Sequence, residues 1–98
     1  MRYSEPKPIN TENIGKEKRK PGLYILVNQY GNEIYIGSST QLRHRLKAVL
    51  YGRSDYAQVD GKQKIRKEAT HYRRVYTNIE KARRIEGRRK KEMKYNEL

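Results

Sequence analysis

The chain contains no cysteine, no tryptophan and no phenylalanine. Without cysteine, neither a disulfide framework nor a thiolate metal site can form, which fits a reducing compartment. Without Phe or Trp, the aromatic volume of the core must come from some of the nine tyrosines, each of which brings a hydroxyl that needs a partner once buried. The remaining tyrosines are free to stack on bases or bond to phosphates. No apolar run approaches the ~18 residues that span a bilayer. The opening Met1-Arg2-Tyr3-Ser4-Glu5-Pro6 lacks the apolar stretch of a signal peptide, so a cytosolic protein is expected. Also missing are a Walker-type loop, an HExxH helix and any paired-cysteine zinc pattern. His44 and His71 lie far apart in sequence and read as surface or DNA-facing residues rather than metal ligands.

Negative charge is scarce too. Eleven acidic residues face 24 Lys and Arg, for a formal net charge of +13 on 98 residues. That length suits one small domain with a thin core. Such a charge points to a polyanionic partner, most often nucleic acid. A merely solubilising surface is the bland alternative, but self-repulsion at this charge costs stability that a phosphate partner relieves. A membrane surface is the other polyanion, yet no segment joins a large apolar face to a basic one.

What is present is a set of short, ordered elements. Residues 1–20 are polar, broken by Pro6, Pro8 and Gly15, and end in Lys16-Glu17-Lys18-Arg19-Lys20. They read as a basic arm, disordered or loosely packed, that either tracks a DNA backbone or is an inert tail. Residues 22–28 (Gly-Leu-Tyr-Ile-Leu-Val-Asn) read as a central strand, and residues 33–37 pair with it. Asn28-Gln29-Tyr30-Gly31-Asn32 between them carries turn chemistry. Ser39 or Thr40 caps the next helix, whose stripe Leu42, Leu46, Val49 and Leu50 faces a core. Residues 51–62 are loop-like, residues 63–69 a short helix and residues 71–77 a third strand. Thr77-Asn78-Ile79-Glu80 fits a capping box with Thr77 as cap, opening a densely basic helix that runs to about residue 94. The expected fold is α/β (α+β): a small three-stranded, mainly antiparallel sheet flanked by helices. The domain spans residues 21–98.

Gly22-Leu23-Tyr24 and Tyr35-Ile36-Gly37 sit on the two hairpin strands, so the hairpin brings the phenols of Tyr24 and Tyr35 together. Arg45 follows Tyr35 by ten residues, Ala82-Arg83-Arg84-Ile85-Glu86 lies on the last helix, and Tyr95-Asn96 follows it. In that order and spacing the chain resembles the GIY-YIG nuclease family over roughly residues 21–96, with Leu23 replacing Ile in the first tripeptide. The resemblance implies a metal-dependent DNA endonuclease. Glu86 would hold Mg²⁺ or Mn²⁺, a hard cation suited to oxygen ligands. Arg45 would fork onto the phosphate. Tyr24 would act as base, with Tyr35 positioning the water, and Asn96 would brace the site. A free phenol has a pKa of ~10, so the base role calls for nearby positive charge to lower it. Arg43, His44, Lys47, Arg83, Arg88 and Lys90 are the candidate nucleic-acid contacts.

Each residue also has an ordinary reading. The tyrosines can be core phenols, Arg45 one cation among many, and Glu86 the partner of Lys90 at i+4. Two departures matter. Ser38 stands where many members have Lys, and Val49 stands where some restriction-type members place His. The chain is therefore closer to homing or repair relatives. One active site cuts one strand per visit, so a monomer nicks, and a double-strand break needs a dimer or two encounters. A compact stand-alone nuclease suits a phage or other mobile element. The rival readings are a non-catalytic basic nucleic-acid-binding module on the same fold and a basic protein that binds an acidic protein.

Overall fold

The computed structural model describes residues 2–97. At its centre is the hairpin of β2 (Gly22–Asn28) and β3 (Glu33–Ser39). The turn closes because Gly31 adopts a left-handed φ of 82°. The Asn28 side-chain carbonyl also accepts from the amides of Tyr30 and Asn32, at 3.0 Å each. The strands pair antiparallel, with Tyr24 opposite Gly37 and Leu26 opposite Tyr35. Val27 then pairs with Glu33, so Ile34 is an extra residue in a bulge. Its carbonyl accepts from the amide of Tyr95 at 3.0 Å.

β4 (Ala69–Tyr76) pairs antiparallel along the other edge of β2. Flanked by strands on both edges and packed on both faces, β2 is buried at all seven positions, which is why its sequence is a continuous apolar run rather than an alternation. The sheet has four strands, not the expected three. β1 (Lys7–Pro8) adds to the free edge of β4, giving the order β1-β4-β2-β3. Two residues carry no readable alternation, and Pro8 is tolerated because it sits on an edge.

The first twenty residues also differ from the expected loose arm. After β1 comes α1 (Thr11–Gly15), capped by Asn10, whose side chain accepts from the amide of Asn13. Ile14 from α1 is buried in the core. Ser4 is stitched to β4: its amide donates to the Arg74 carbonyl (2.9 Å) and its hydroxyl accepts from the Arg74 amide (3.0 Å). Glu17 is buried and accepts from Tyr72, Tyr76 and Arg74. The segment is held by polar contacts with distant β4, which local composition does not reveal.

Helices cover both faces. On one, α2 (Leu42–Tyr51) packs Leu42, Leu46 and Val49 against Tyr24, Leu26 and Tyr72. Tyr56, in a 3₁₀ turn (Ser54–Ala57), and Ile65 of α3 (Gln63–Glu68) join that core. On the other, α4 (Ile79–Arg89) packs Ala82 against Leu23, Ile25, Val27 and Ile36. Two helix starts differ from expectation. Neither Ser39 nor Thr40 caps α2. Gln41 does so through its backbone alone, while Ser39 Oγ bonds to Gln41. For α4 the cap is Asn78, whose side chain accepts from the Lys81 amide at 2.8 Å, and not Thr77 with Glu80. The α-helix stops at Arg89, and a 3₁₀ turn (Lys90–Glu92) leads to buried Met93. Among the described residues, no helix is long and apolar enough to cross a membrane.

Candidate active site

Tyr24 and Tyr35 sit on adjacent strands of the hairpin and belong to the same core. Their ring centroids lie 6.2 Å apart, tilted by 46°, so the expected proximity of the two phenols holds. The Tyr24 ring crosses β3 over Gly37. A Cβ at position 37 would come within 2.5 Å of the ring and its oxygen, so only glycine admits this phenol.

α2 delivers Arg45 to the same point. Its Nε donates to the Tyr24 hydroxyl at 3.4 Å, and its guanidinium lies 5.1 Å from the centre of the Tyr56 ring. Tyr56 is fully buried, with its hydroxyl 3.0 Å from that of Tyr24. Lys62 adds a second cation, 5.0 Å over the Tyr35 ring and 5.7 Å over that of Tyr56. Neither Tyr56 nor Lys62 was singled out by sequence reasoning. Both lie in a stretch with no periodicity, and nothing distinguishes one of nine tyrosines until the chain folds.

Glu86 approaches from α4, which packs the opposite face. The two layers meet beside β3 because that strand is the sheet edge. Ser38 Oγ donates to Glu86 Oε1 at 2.6 Å. Lys90 Nζ is 4.0 Å from Oε2 and also 5.8 Å over the Tyr35 ring. The i+4 pair with Lys90 thus exists, but it is long and partly exposed, and leaves Oε2 without a short bond. Tyr24, Tyr35, Arg45 and Glu86 therefore converge from β2, β3, α2 and α4.

The phenols are harder to ionise than free tyrosine. Burial raises Tyr24, and its neighbour Tyr35 adds to the effect. Arg45 and the bonds to Tyr56 and Arg45 pull the other way without reversing it. Burial, then the Glu86 carboxylate, push Tyr35 up to about 12, against Arg45. Burial and Tyr24 raise Tyr56 as well. Positive charge from the chain alone therefore does not produce the lowered phenol that a base role calls for: at neutral pH all three are protonated. Arg45 is held charged, its own burial outweighed by the phenols and Asp55.

Among the described residues, no group of three or more His, Asp or Glu side chains could cage a metal. The donor set nevertheless suits a hard divalent cation. Glu86 offers one carboxylate oxygen without a short bond, next to a hydroxyl and a phenol, and such a cation keeps several waters when a single carboxylate holds it.

The other expected residues are dispersed. Asn96 is exposed, its amide 3.5 Å from the Lys91 carbonyl, and bonds to neither tyrosine, although Tyr95 beside it is anchored to Ile34, one residue from Tyr35. Lys90 belongs to the site itself. Arg43, His44 and Lys47 lie on α2, with His44 exposed and the other two half-buried. Arg83 and Arg88 are exposed on α4.

Beside the edge strand β3, the fold brings together two phenols, an arginine and a lone glutamate. Solved structures similar to it are of an endonuclease domain. The GIY-YIG N-terminal endonuclease domain of UvrC from Thermotoga maritima, bound to magnesium as its catalytic divalent cation, superposes with a TM-score of 0.68 at 28% identity. The match covers 86% of this chain and 91% of that one. Variants of the same domain with a tyrosine replaced by phenylalanine, also bound to the cation, match at 26–28% identity and the same TM-score. No protein-family model and no curated protein sequence matches the chain. In fold, motif order and site, the chain is similar to the GIY-YIG endonuclease domain.

Proposed function

We propose that the protein is a divalent-cation-dependent endonuclease that hydrolyses DNA phosphodiesters one strand at a time. The observation that carries this reading is the convergence of Tyr24, Tyr35, Arg45 and Glu86 at the sheet edge, with one Glu86 oxygen lacking a short bond. The related domain with its bound magnesium supports the choice of cation. Ser38 and Val49, as noted, favour a homing- or repair-like member.

Glu86 would hold the cation, oriented by Ser38. When bound, the cation supplies positive charge to the scissile phosphate and to the adjacent phenol. Arg45, fixed against Tyr56, offers its forked N–H groups to two phosphoryl oxygens. Tyr35 is the phenol whose ionisation feels Glu86 most directly. We therefore exchange the roles expected from the sequence, Tyr24 as base and Tyr35 positioning the water: Tyr35, beside Glu86, would face the attacking water and take its proton once a bound cation offsets the carboxylate that opposes its ionisation. Tyr24, clamped by Tyr56 and Arg45, holds the constellation in place.

The test is conversion of supercoiled plasmid to nicked circle with Mg²⁺, compared with chelator and with Glu86→Ala. The expected result is cation-dependent nicking by the wild type alone. DNA binding without any cation-dependent cleavage would favour the non-catalytic module instead.

A further inference from the structure

One oxygen of Asp55, Oδ2, lies 3.5 Å from Arg45 Nη2 and 3.6 Å from Lys62 Nζ. The three side chains are unequally held. Lys62 is 15% exposed and lies over the Tyr35 and Tyr56 rings, and Arg45 is 22% exposed and lies over the Tyr56 ring. Asp55 is 54% exposed, and its carboxylate makes no closer ion pair. Two largely desolvated, immobilised cations thus share one loosely held, wet anion. Fixed cations are a receptor, and an exposed carboxylate at such distances contributes little and is readily displaced. The pair sits beside the phenols on which the chemistry converges.

We propose that Arg45 and Lys62 together form the seat of a DNA phosphate, and that the Asp55 carboxylate fills this seat in the free protein and is displaced when DNA binds. Lys62 is then a second phosphate-contacting residue, delivered by the loop before α3. Asp55 lowers DNA affinity by competing with phosphate. Its backbone carbonyl separately accepts from the Lys62 amide at 2.9 Å, so replacing the side chain leaves the loop's hydrogen bond intact. The proposal rests on the active-site reading above only in taking the phosphate to be the one cleaved.

The experiment measures binding of a labelled 20-base-pair duplex in chelator, so no cleavage intervenes. Asp55→Asn should tighten binding about threefold to fivefold, the range expected for releasing one partly exposed ion pair. Lys62→Met, which keeps the stem over the rings, should weaken it about threefold and make it less salt-dependent. In the Lys62→Met background Asp55→Asn should gain much less. Asp60→Asn, an exposed acid of the same loop, controls for net charge and should change little. Melting curves check that each variant is folded. The proposal is overturned if Asp55→Asn binds no tighter than wild type, if Asp60→Asn gains equally, or if the gain persists without Lys62. Wild-type plasmid nicking is scored separately. If nicking fails while the binding pattern holds, the nuclease reading falls and the phosphate seat stands.

Discussion

Two clusters in this molecule are built from the same parts, a glutamate with tyrosines and an arginine, and they end in opposite states. Glu17 is 3% exposed and accepts from Tyr72 (2.6 Å), Tyr76 (2.7 Å) and Arg74 (2.7 Å), with Lys7 at 3.7 Å. Burial alone would raise its carboxyl, but those bonds outweigh it and hold the carboxyl below the usual range. Glu86 has one short bond, from Ser38, and one long pair with Lys90. A saturated buried carboxylate ties the chain together, and here it clamps the first twenty residues to β4. A carboxylate with unused lone pairs beside Lys90 and the Tyr35 ring has capacity for something the protein itself does not supply.

The largest separation should come from deleting each acid. Glu86→Ala is expected to lose plasmid nicking by about 10² or more, on the scale of removing one electrostatic contributor to a transition state. Its melting temperature should stay near wild type and its DNA affinity unchanged or slightly higher. Glu17→Ala strands two phenols and a guanidinium, at a cost of about 3 kcal/mol, since it breaks a buried pair from one side. For a domain of this size that lowers Tm by roughly 10–20 °C. Nicking by the fraction that remains folded should persist. Wild-type nicking by Glu86→Ala, or wild-type melting of Glu17→Ala, would break the contrast.

Swapping single hydroxyls sharpens it. Tyr35→Phe keeps the packed ring and should cost at least about tenfold in nicking with little change in Tm. Tyr72→Phe removes a bond to Glu17, so it should cost about 1–2 kcal/mol of stability and leave activity of the folded protein intact. Arg45→Lys should behave like Tyr35→Phe, because an ammonium cannot reproduce the forked, ring-stacked geometry. If both hydroxyl deletions lowered Tm equally and left nicking untouched, Tyr35 would be a core phenol like Tyr72.

The hairpin was legible because its turn residues and apolar strands are local signals, and α2 because its stripe is periodic. Tyr24, Tyr35, Arg45 and Glu86 were legible through motif order. The clamp around Glu17 was not: β1 is two residues long, α1 five, and the partners lie more than fifty residues away. The cap of α4 fell on Asn78 rather than Thr77: both residue types cap helices, Asn the more strongly, and the Thr-x-x-Glu spacing pointed to the wrong one of the two. Tyr56, Asp55 and Lys62 were missed because their significance lies in reaching Arg45 and the phenols across a loop, which no spacing rule encodes.

The smallest expected effect is a pH shift that tells the two clusters' tyrosines apart. Tyr35 is raised from an ordinary phenol's value to about 12, and Tyr72 is raised by its own burial and by its bond to Glu17. A group whose folded pKa lies above its unfolded value stabilises the fold below the unfolded value, and that contribution is lost as pH rises through the folded one. In chelator, the Tyr35 contribution should therefore be constant up to about pH 10 and be lost between about 10 and 12, where the unfolded chain's phenol ionises while folded Tyr35 stays protonated. Near the acid end the sign reverses. Glu17 is lowered, and Glu68 is held at about 2 by bonds from Lys94, Tyr95 and Asn28, so their contributions are present above about 4.5 and lost as pH falls. Added Mg²⁺ should then separate the clusters. A cation beside Glu86 favours the Tyr35 phenolate and lowers its pKa, whereas Tyr72 beside the saturated Glu17 should not respond. Ultraviolet titration of wild type against Tyr35→Phe isolates the Tyr35 signal. Its downward shift with Mg²⁺ should vanish in Glu86→Ala and persist in Tyr72→Phe. A shift that survives loss of Glu86 would place the cation elsewhere and remove the functional half of the contrast.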